Sequence, residues 1–141
     1  MASIELYDGL HPHVLDFQEG TTSGSFEIGD LVKTDSSGQV VIATAGLICG
    51  IARKKYTGTA GTTIPVELIS FEDIYSCKYS TTTAQSIVGD QATFTFTAGA
   101  HVLTTDASGT DAEIVGLHPG DAVGTSGGRV LFRFLKSVVG R

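Results

Sequence analysis

The chain has 141 residues, 41% of them hydrophobic and 17% charged, with 15 acidic against 9 basic side chains and a net charge of −6. That length is one domain, long enough to bury a core without a disulfide or a metal. The apolar content excludes a disordered chain, and the acidic balance is the opposite of what a generic nucleic-acid binder carries. The uncharged stretch Val40 to Ala52 is too short for a membrane span, which needs about twenty apolar residues. Neither nucleic acid nor a membrane is therefore expected as a partner. The start Met1-Ala2-Ser3-Ile4-Glu5 has no basic segment and no apolar run, so no signal peptide is expected. Cys49 and Cys77 fit no zinc or thioredoxin spacing and read as reduced core residues, consistent with synthesis in a reducing cytoplasm.

Taken in chain order, the elements are strands and turns. Residues 1–25 read as an extended N-terminal arm, with the break at Pro12 and the flexible run Gly20-Thr21-Thr22-Ser23-Gly24-Ser25. The alternative is an ordinary first strand followed by a loop. Within the arm, alternation over Ser3-Ile4-Glu5-Leu6-Tyr7 puts Ile4 and Leu6 on one face. Residues 26–141 read as a single β domain. Val40-Val41-Ile42-Ala43-Thr44 and Leu47-Ile48-Cys49-Gly50-Ile51 are short apolar runs. Val66-Glu67-Leu68-Ile69 reads as a strand that begins after Pro65. One helical turn fits Thr82–Ile87. Thr93-Phe94-Thr95-Phe96-Thr97 alternates, which places both rings on one face. Val130, Phe132 and Phe134 share a face, opposite Leu131, Arg133 and Leu135. Thr, Ser and Gly clusters separate the strands, and no long segment has helical periodicity. The expected fold is all-β, a small β-barrel or β-sandwich with an extended N-terminal arm.

A degenerate internal repeat stands out. Thr34-Asp35-Ser36-Ser37-Gly38 matches Thr105-Asp106-Ala107-Ser108-Gly109. Ile48-Cys49-Gly50-Ile51 matches Ile114-Val115-Gly116-Leu117, and Val66-Glu67-Leu68 corresponds to Val130-Leu131-Phe132. Gly29-Asp30 and Gly89-Asp90 precede the two halves. The pattern suggests two similar β-meander halves, against the alternative of chance in a chain rich in Gly and Thr.

No motif carries a complete chemistry. Gly124-Thr125-Ser126-Gly127-Gly128 fits the nucleophile-elbow spacing, but no acid or His follows it, so it reads as a hairpin loop. His11-Pro12-His13 with Asp16 lacks the third ligand a metal site needs. Gly58-Thr59-Ala60-Gly61-Thr62-Thr63 lacks the Lys of a phosphate-binding loop. Arg53-Lys54-Lys55-Tyr56 is the one basic cluster, a candidate interface loop that Glu72-Asp73 would balance. No catalytic residue, cofactor or metal is expected. The profile is that of a structural or binding module acting through loops and strand edges.

The run from Phe26 through Gly29-Asp30-Leu31-Val32 to Gly38-Gln39-Val40-Val41, with Leu47-Ile48-Cys49-Gly50-Ile51-Ala52 and Pro65-Val66-Glu67-Leu68, resembles the tailed-phage capsid decoration, or head cement, proteins. The resemblance covers roughly residues 26–71, and more loosely 100–135. It implies a non-enzymatic virion protein on the outer capsid surface that stabilises the shell. Its partners would be the major capsid protein and itself, as a homotrimer. It also implies that the arm engages the capsid, with Ile4, Leu6, Tyr7, His11 and His13 as its contacts. The alternative reading is a carbohydrate- or ligand-binding β module of a phage tail or fibre, with Tyr56, Tyr75 and Tyr79 as its only aromatic platform.

Overall fold

Short β-branched and aromatic runs punctuated by Gly, Asp and Ser turns give eleven strands among the described residues. The computed structural model describes residues 4–9, 13–20, 25–44, 46–97 and 100–140. The strands are β1 (Glu5–Asp8), β2 (Val14–Gln18), β3 (Leu31–Thr34), β4 (Val40–Ile42), β5 (Gly50–Ala52), β6 (Thr63–Leu68), β7 (Ile74–Lys78), β8 (Gln91–Thr97), β9 (Ala100–Thr105), β10 (Ala112–Leu117) and β11 (Arg129–Phe134). One 3-10 turn, Gln85–Ile87, stands where the helical turn was expected. The strands form a six-stranded sheet in the order β1-β7-β11-β10-β8-β9 and a five-stranded sheet in the order β2-β6-β5-β3-β4. All ladder pairings are antiparallel. Neither sheet closes into a barrel, and the fold is sandwich-like.

The two sheets repeat one plan. Strands β2 to β6 and strands β7 to β11, each renumbered from one, have the same order, 1-5-4-2-3. A meander would run in simple sequence, so the expected meander halves are corrected to units whose last strand inserts beside the first. The backbone hydrogen bonds match as well. Gly29 and Gly89 both have φ of 94°, a left-handed conformation that favours glycine. Gly29 N–H donates to Ala52 (2.8 Å) and Gly89 N–H to Ile114 (2.7 Å). Ala52 N–H returns to Asp30 and Ile114 N–H to Asp90, each at 2.9 Å. An isolated parallel bridge ties Glu19 to Val40 in one unit and Tyr79 to Leu103 in the other.

This register changes the sequence alignment of the halves. Gly29-Asp30 and Gly89-Asp90 are equivalent. Gly50, however, matches Ala112 and not Gly116, because each pairs opposite the same place on β3 or β8. Val66 matches Phe132 and not Val130, since they lie opposite Ala52 and Ile114. The two Asp turns are not counterparts: one joins β3 to β4, the other β9 to β10. They look alike because both use the same local chemistry. Asp35 Oδ1 accepts from Ser37 N–H (2.8 Å), and Asp106 Oδ1 from Ser108 N–H (3.0 Å).

Apart from its exposed edge strand β2, the five-stranded sheet packs against apolar residues on both faces. Leu31 and Ile51 face a large core shared with Tyr75, Ile114, Phe132 and Phe134 of the other sheet. Val32, Ala52, Ile64 and Val66 face a second core with Phe26. Two-sided burial explains why β4 and β5 read as unbroken apolar runs instead of alternating ones. The rings of β8 share a face as expected, Phe94 packing on the first core and Phe96 on the second. Strand β6 starts at Thr63, before Pro65 and not after it. The Pro65 carbonyl accepts from Arg53 N–H (2.9 Å) just past the end of β5, and the reciprocal donor that proline lacks would face Arg53, where the β5–β6 ladder stops.

The described part of residues 1–25 is paired within the chain. β1 lies on β7 and β2 on β6, so each takes an edge of a different sheet. Ile4 is 1% exposed in the large core, with Leu6 packed against it.

Gly50 is the tightest crossing between β5 and β6. A Cβ there would overlap the Glu67 carbonyl oxygen and lie 2.5 Å from Val66 Cγ1. Gly50→Ala is expected to lose about 1–3 kcal/mol in urea denaturation, as overpacked sites do. An unchanged midpoint would show that β5 and β6 can separate freely.

Candidate interaction surface

The polar side chains mostly hold the chain's own loops. Glu19, fully buried at the end of β2, accepts from Gly58 N–H (2.7 Å), from Thr57 N–H (3.1 Å) and from the Thr57 hydroxyl (2.5 Å). The glycine-rich loop is thus wrapped around a carboxylate of its own chain. Sequence reading missed Glu19, whose only signal was an acid flanked by a strand and a glycine. Its counterpart Tyr79 instead donates to or accepts from Thr105 Oγ1 at 3.0 Å.

The basic cluster is divided between acids other than those expected. Arg53 pairs with the buried Glu67, its Nε donating to Oε1 at 2.9 Å. Lys55 lies 3.6 Å from Glu27, and the Tyr56 ring meets Phe26 edge-on at 5.3 Å. Lys54 is exposed. The register places Glu67, across from Ile51 on β6, beside this cluster in the role expected of Glu72-Asp73.

Of the expected arm contacts, Ile4 is enclosed in the core and Leu6 is half-buried. Tyr7 is exposed and meets the His118 ring edge-on at 5.5 Å. His13 is exposed at the start of β2, and His11 lies outside the described residues. The structure does not gather the histidines. His101 is buried on β9, its Nε2–H donating to the Ala43 carbonyl (2.7 Å) and its Nδ1 accepting from Leu31 N–H (3.3 Å). Asp30 Oδ1 lies 3.6 Å from Nδ1 without a hydrogen bond. Among the described residues no three His, Cys, Asp or Glu side chains converge as metal ligands. Ser126 sits on an exposed loop in a single bridge with Thr82.

Between the two units lies a cavity of about 200 Å³, lined by Leu31, Ala43, Ile48, Phe94, Phe96 and His101, with Thr44, Thr93 and Asp111 at its polar side. Asp111 is committed there, accepting from Phe94 N–H at 2.9 Å. The tyrosine platform is corrected. Tyr75 and Tyr79 are buried, with Tyr75 packed among Phe132 and Phe134 and its hydroxyl pushed up to about 12 by burial.

Exposed large apolar side chains lie in loops, at Ile28, Leu47, Phe71 and Val123, and also on the two edge strands β1 and β2. Val14 and Leu15 on β2 are 49% and 44% exposed, and Tyr7 on β1 is 47% exposed. Comparison with protein-family models, with curated proteins and with solved structures finds no match.

Two outcomes test this arrangement. Glu19→Ala leaves several donors of the 57–58 turn without an acceptor and is expected to cost about 1–3 kcal/mol. Hydrogen exchange at Thr57 and Gly58 should speed up while exchange in β11 does not. Cys77 is buried and its thiol is pushed up to about 12, chiefly by loss of hydration. In a Cys49→Ala background it should stay silent to a thiol reagent at pH 8 and react only in denaturant. Rapid reaction under native conditions would mean that β7 opens readily.

Proposed function

We propose that the chain is a non-enzymatic virion structural protein that decorates and stabilises the outer surface of a phage capsid. Its partners are the major capsid protein and further copies of itself. The observation that carries the reading concerns the residues of the head-cement resemblance. Phe26–Val41, Leu47–Ala52 and Pro65–Leu68 fall on consecutive elements, β3 to β6, of one sheet. They therefore belong to one packed unit, which supports reading them together. The exposed apolar side chains at strand edges add support, because such edges bind through main-chain hydrogen bonds and side-chain contacts. The tail or fibre carbohydrate module loses its aromatic platform with the burial of Tyr75 and Tyr79. Within the N-terminal segment, Tyr7 and His13 are the described contacts still available to a capsid.

Co-sedimentation of the purified chain with expanded and unexpanded heads of the phage that encodes it tests the proposal. Saturable binding to expanded heads is expected, with a copy number that is a simple multiple of the capsomer count. Absence of binding to both head forms would overturn it.

A further inference from the structure

The internal repeat leaves one place filled in one unit and open in the other. β1 precedes both units and belongs to neither. It lies against β7, the first strand of the second unit, with Glu5 opposite Ser76, Leu6 opposite Tyr75 and Asp8 opposite Ile74. In the first unit the counterpart of β7 is β2, and the counterparts of Ile74, Tyr75 and Ser76 are Val14, Leu15 and Asp16. Among the described residues no strand occupies the outer edge of β2; only its C-terminal end meets Val40, through the bridge at Glu19.

The edge carries free main-chain groups. Leu68 N–H donates to the His13 carbonyl and Glu19 N–H to the Thr62 carbonyl, so the odd-numbered residues of β2 point their backbone toward β6. Alternation turns the N–H and C=O groups of Val14, Asp16 and Gln18 outward; Gln18 lies beside the Glu19–Val40 bridge, so the open part of the edge is at Val14 and Asp16. The same edge exposes Val14 and Leu15, an apolar pair at an unguarded edge.

We infer that the outer edge of β2 pairs with β2 of a second copy, antiparallel about a twofold axis at Leu15. In that register Leu15 faces Leu15, Val14 faces Asp16, and His13 faces Phe17. Both Val14–Asp16 pairs use outward groups, giving main-chain hydrogen bonds on each side of a close leucine contact. No like charges meet. Shifting the axis to Asp16 would set two carboxylates face to face. Swapping in β1 of a second copy with Leu6 opposite Leu15 would set Glu5 against Asp16. Self-pairing of β2 at Leu15 avoids that repulsion and brings the two exposed leucines together. It is an isologous contact, which closes at two copies and not at the three that the head-cement resemblance implies.

The test uses the full chain in sedimentation equilibrium over a wide concentration range, with circular dichroism to verify folding of each variant. A dimer is expected. Leu15→Lys, which places two ammonium groups together, should weaken it about tenfold or more. Asp16→Pro removes an N–H that points away from β6 and should weaken it likewise. Leu15→Cys supplies a gain of signal. Facing residues of a non-hydrogen-bonded antiparallel pair have Cα atoms about 4.5 Å apart, within disulfide reach. This variant should form a covalent dimer under mild oxidation, while Ser36→Cys on the exposed β3–β4 turn should not. A wild-type chain that stays monomeric, a dimer indifferent to Leu15→Lys and Asp16→Pro, or equal cross-linking of the two cysteine variants would overturn the inference. A monomeric chain that still coats expanded heads would overturn this pairing and leave the decoration reading standing. A Leu15-centred dimer that binds no heads would do the reverse.

Discussion

Each unit is held by the pairing of its first strand with its last. β2 is fixed to β6, and β7 to β11, and in both cases the last strand slides between the first strand and the fourth. The groups of β2 that face β6 therefore have no partner until residues 63–68 have been placed, and those of β7 that face β11 none until residues 129–134 arrive. Such non-local closure is entropically costly and slows folding relative to a meander of local hairpins. The Gly-Asp turns at Gly29 and Gly89 reduce that cost by locking the second strand of each unit to the fourth from both sides.

On this shared backbone the two units have adopted different interiors. The position that is Phe26 in the first unit, in its own core, is Ser86 in the second, and the next position exchanges Glu27 for the core residue Ile87. Glu19 gathers a glycine-rich loop where Tyr79 meets a threonine hydroxyl. Asp30 is buried beside His101, while Asp90 is exposed. Backbone hydrogen bonds define the plan, and side chains at matching places are free to change provided each buried polar group keeps a partner. The unit with the buried acids is also the one whose sheet, apart from β2, is packed on both faces, where loops need anchoring from within.

The strand outside the repeat decides what the surface offers. β1 covers the edge of β7 and delivers Ile4 and Leu6 to the large core, so the six-stranded sheet ends in a short strand interrupted by a bulge. Such an ending blunts further pairing. The five-stranded sheet ends in β2 with exposed valine and leucine. An asymmetric edge on a symmetric plan is a directional contact surface.

The all-β class was legible in the residues themselves. Alternation at Phe94 and Phe96, the shared face of Val130, Phe132 and Phe134, and the turn chemistry of Asp35 and Asp106 are local properties, and all stand in the structure. The Gly-Asp recurrence was legible too, because a left-handed glycine is a backbone requirement that sequence displays openly. The correct pairing of the other half-motifs was not. An Asp-x-Ser-Gly turn specifies a reversal of direction, not a place in a sheet, so similar turns at different joints drew the alignment out of register. The fate of Ile4, Tyr75, Tyr79 and Glu19 was hidden for the same reason. Burial of a side chain depends on which strand becomes its neighbour, and here those neighbours lie far along the chain. The strand character of these runs and the chemistry of the turns were thus set by the sequence alone. Strand order, the register of the repeat and the open edge at β2 were decided only when distant segments competed for the same backbone hydrogen bonds.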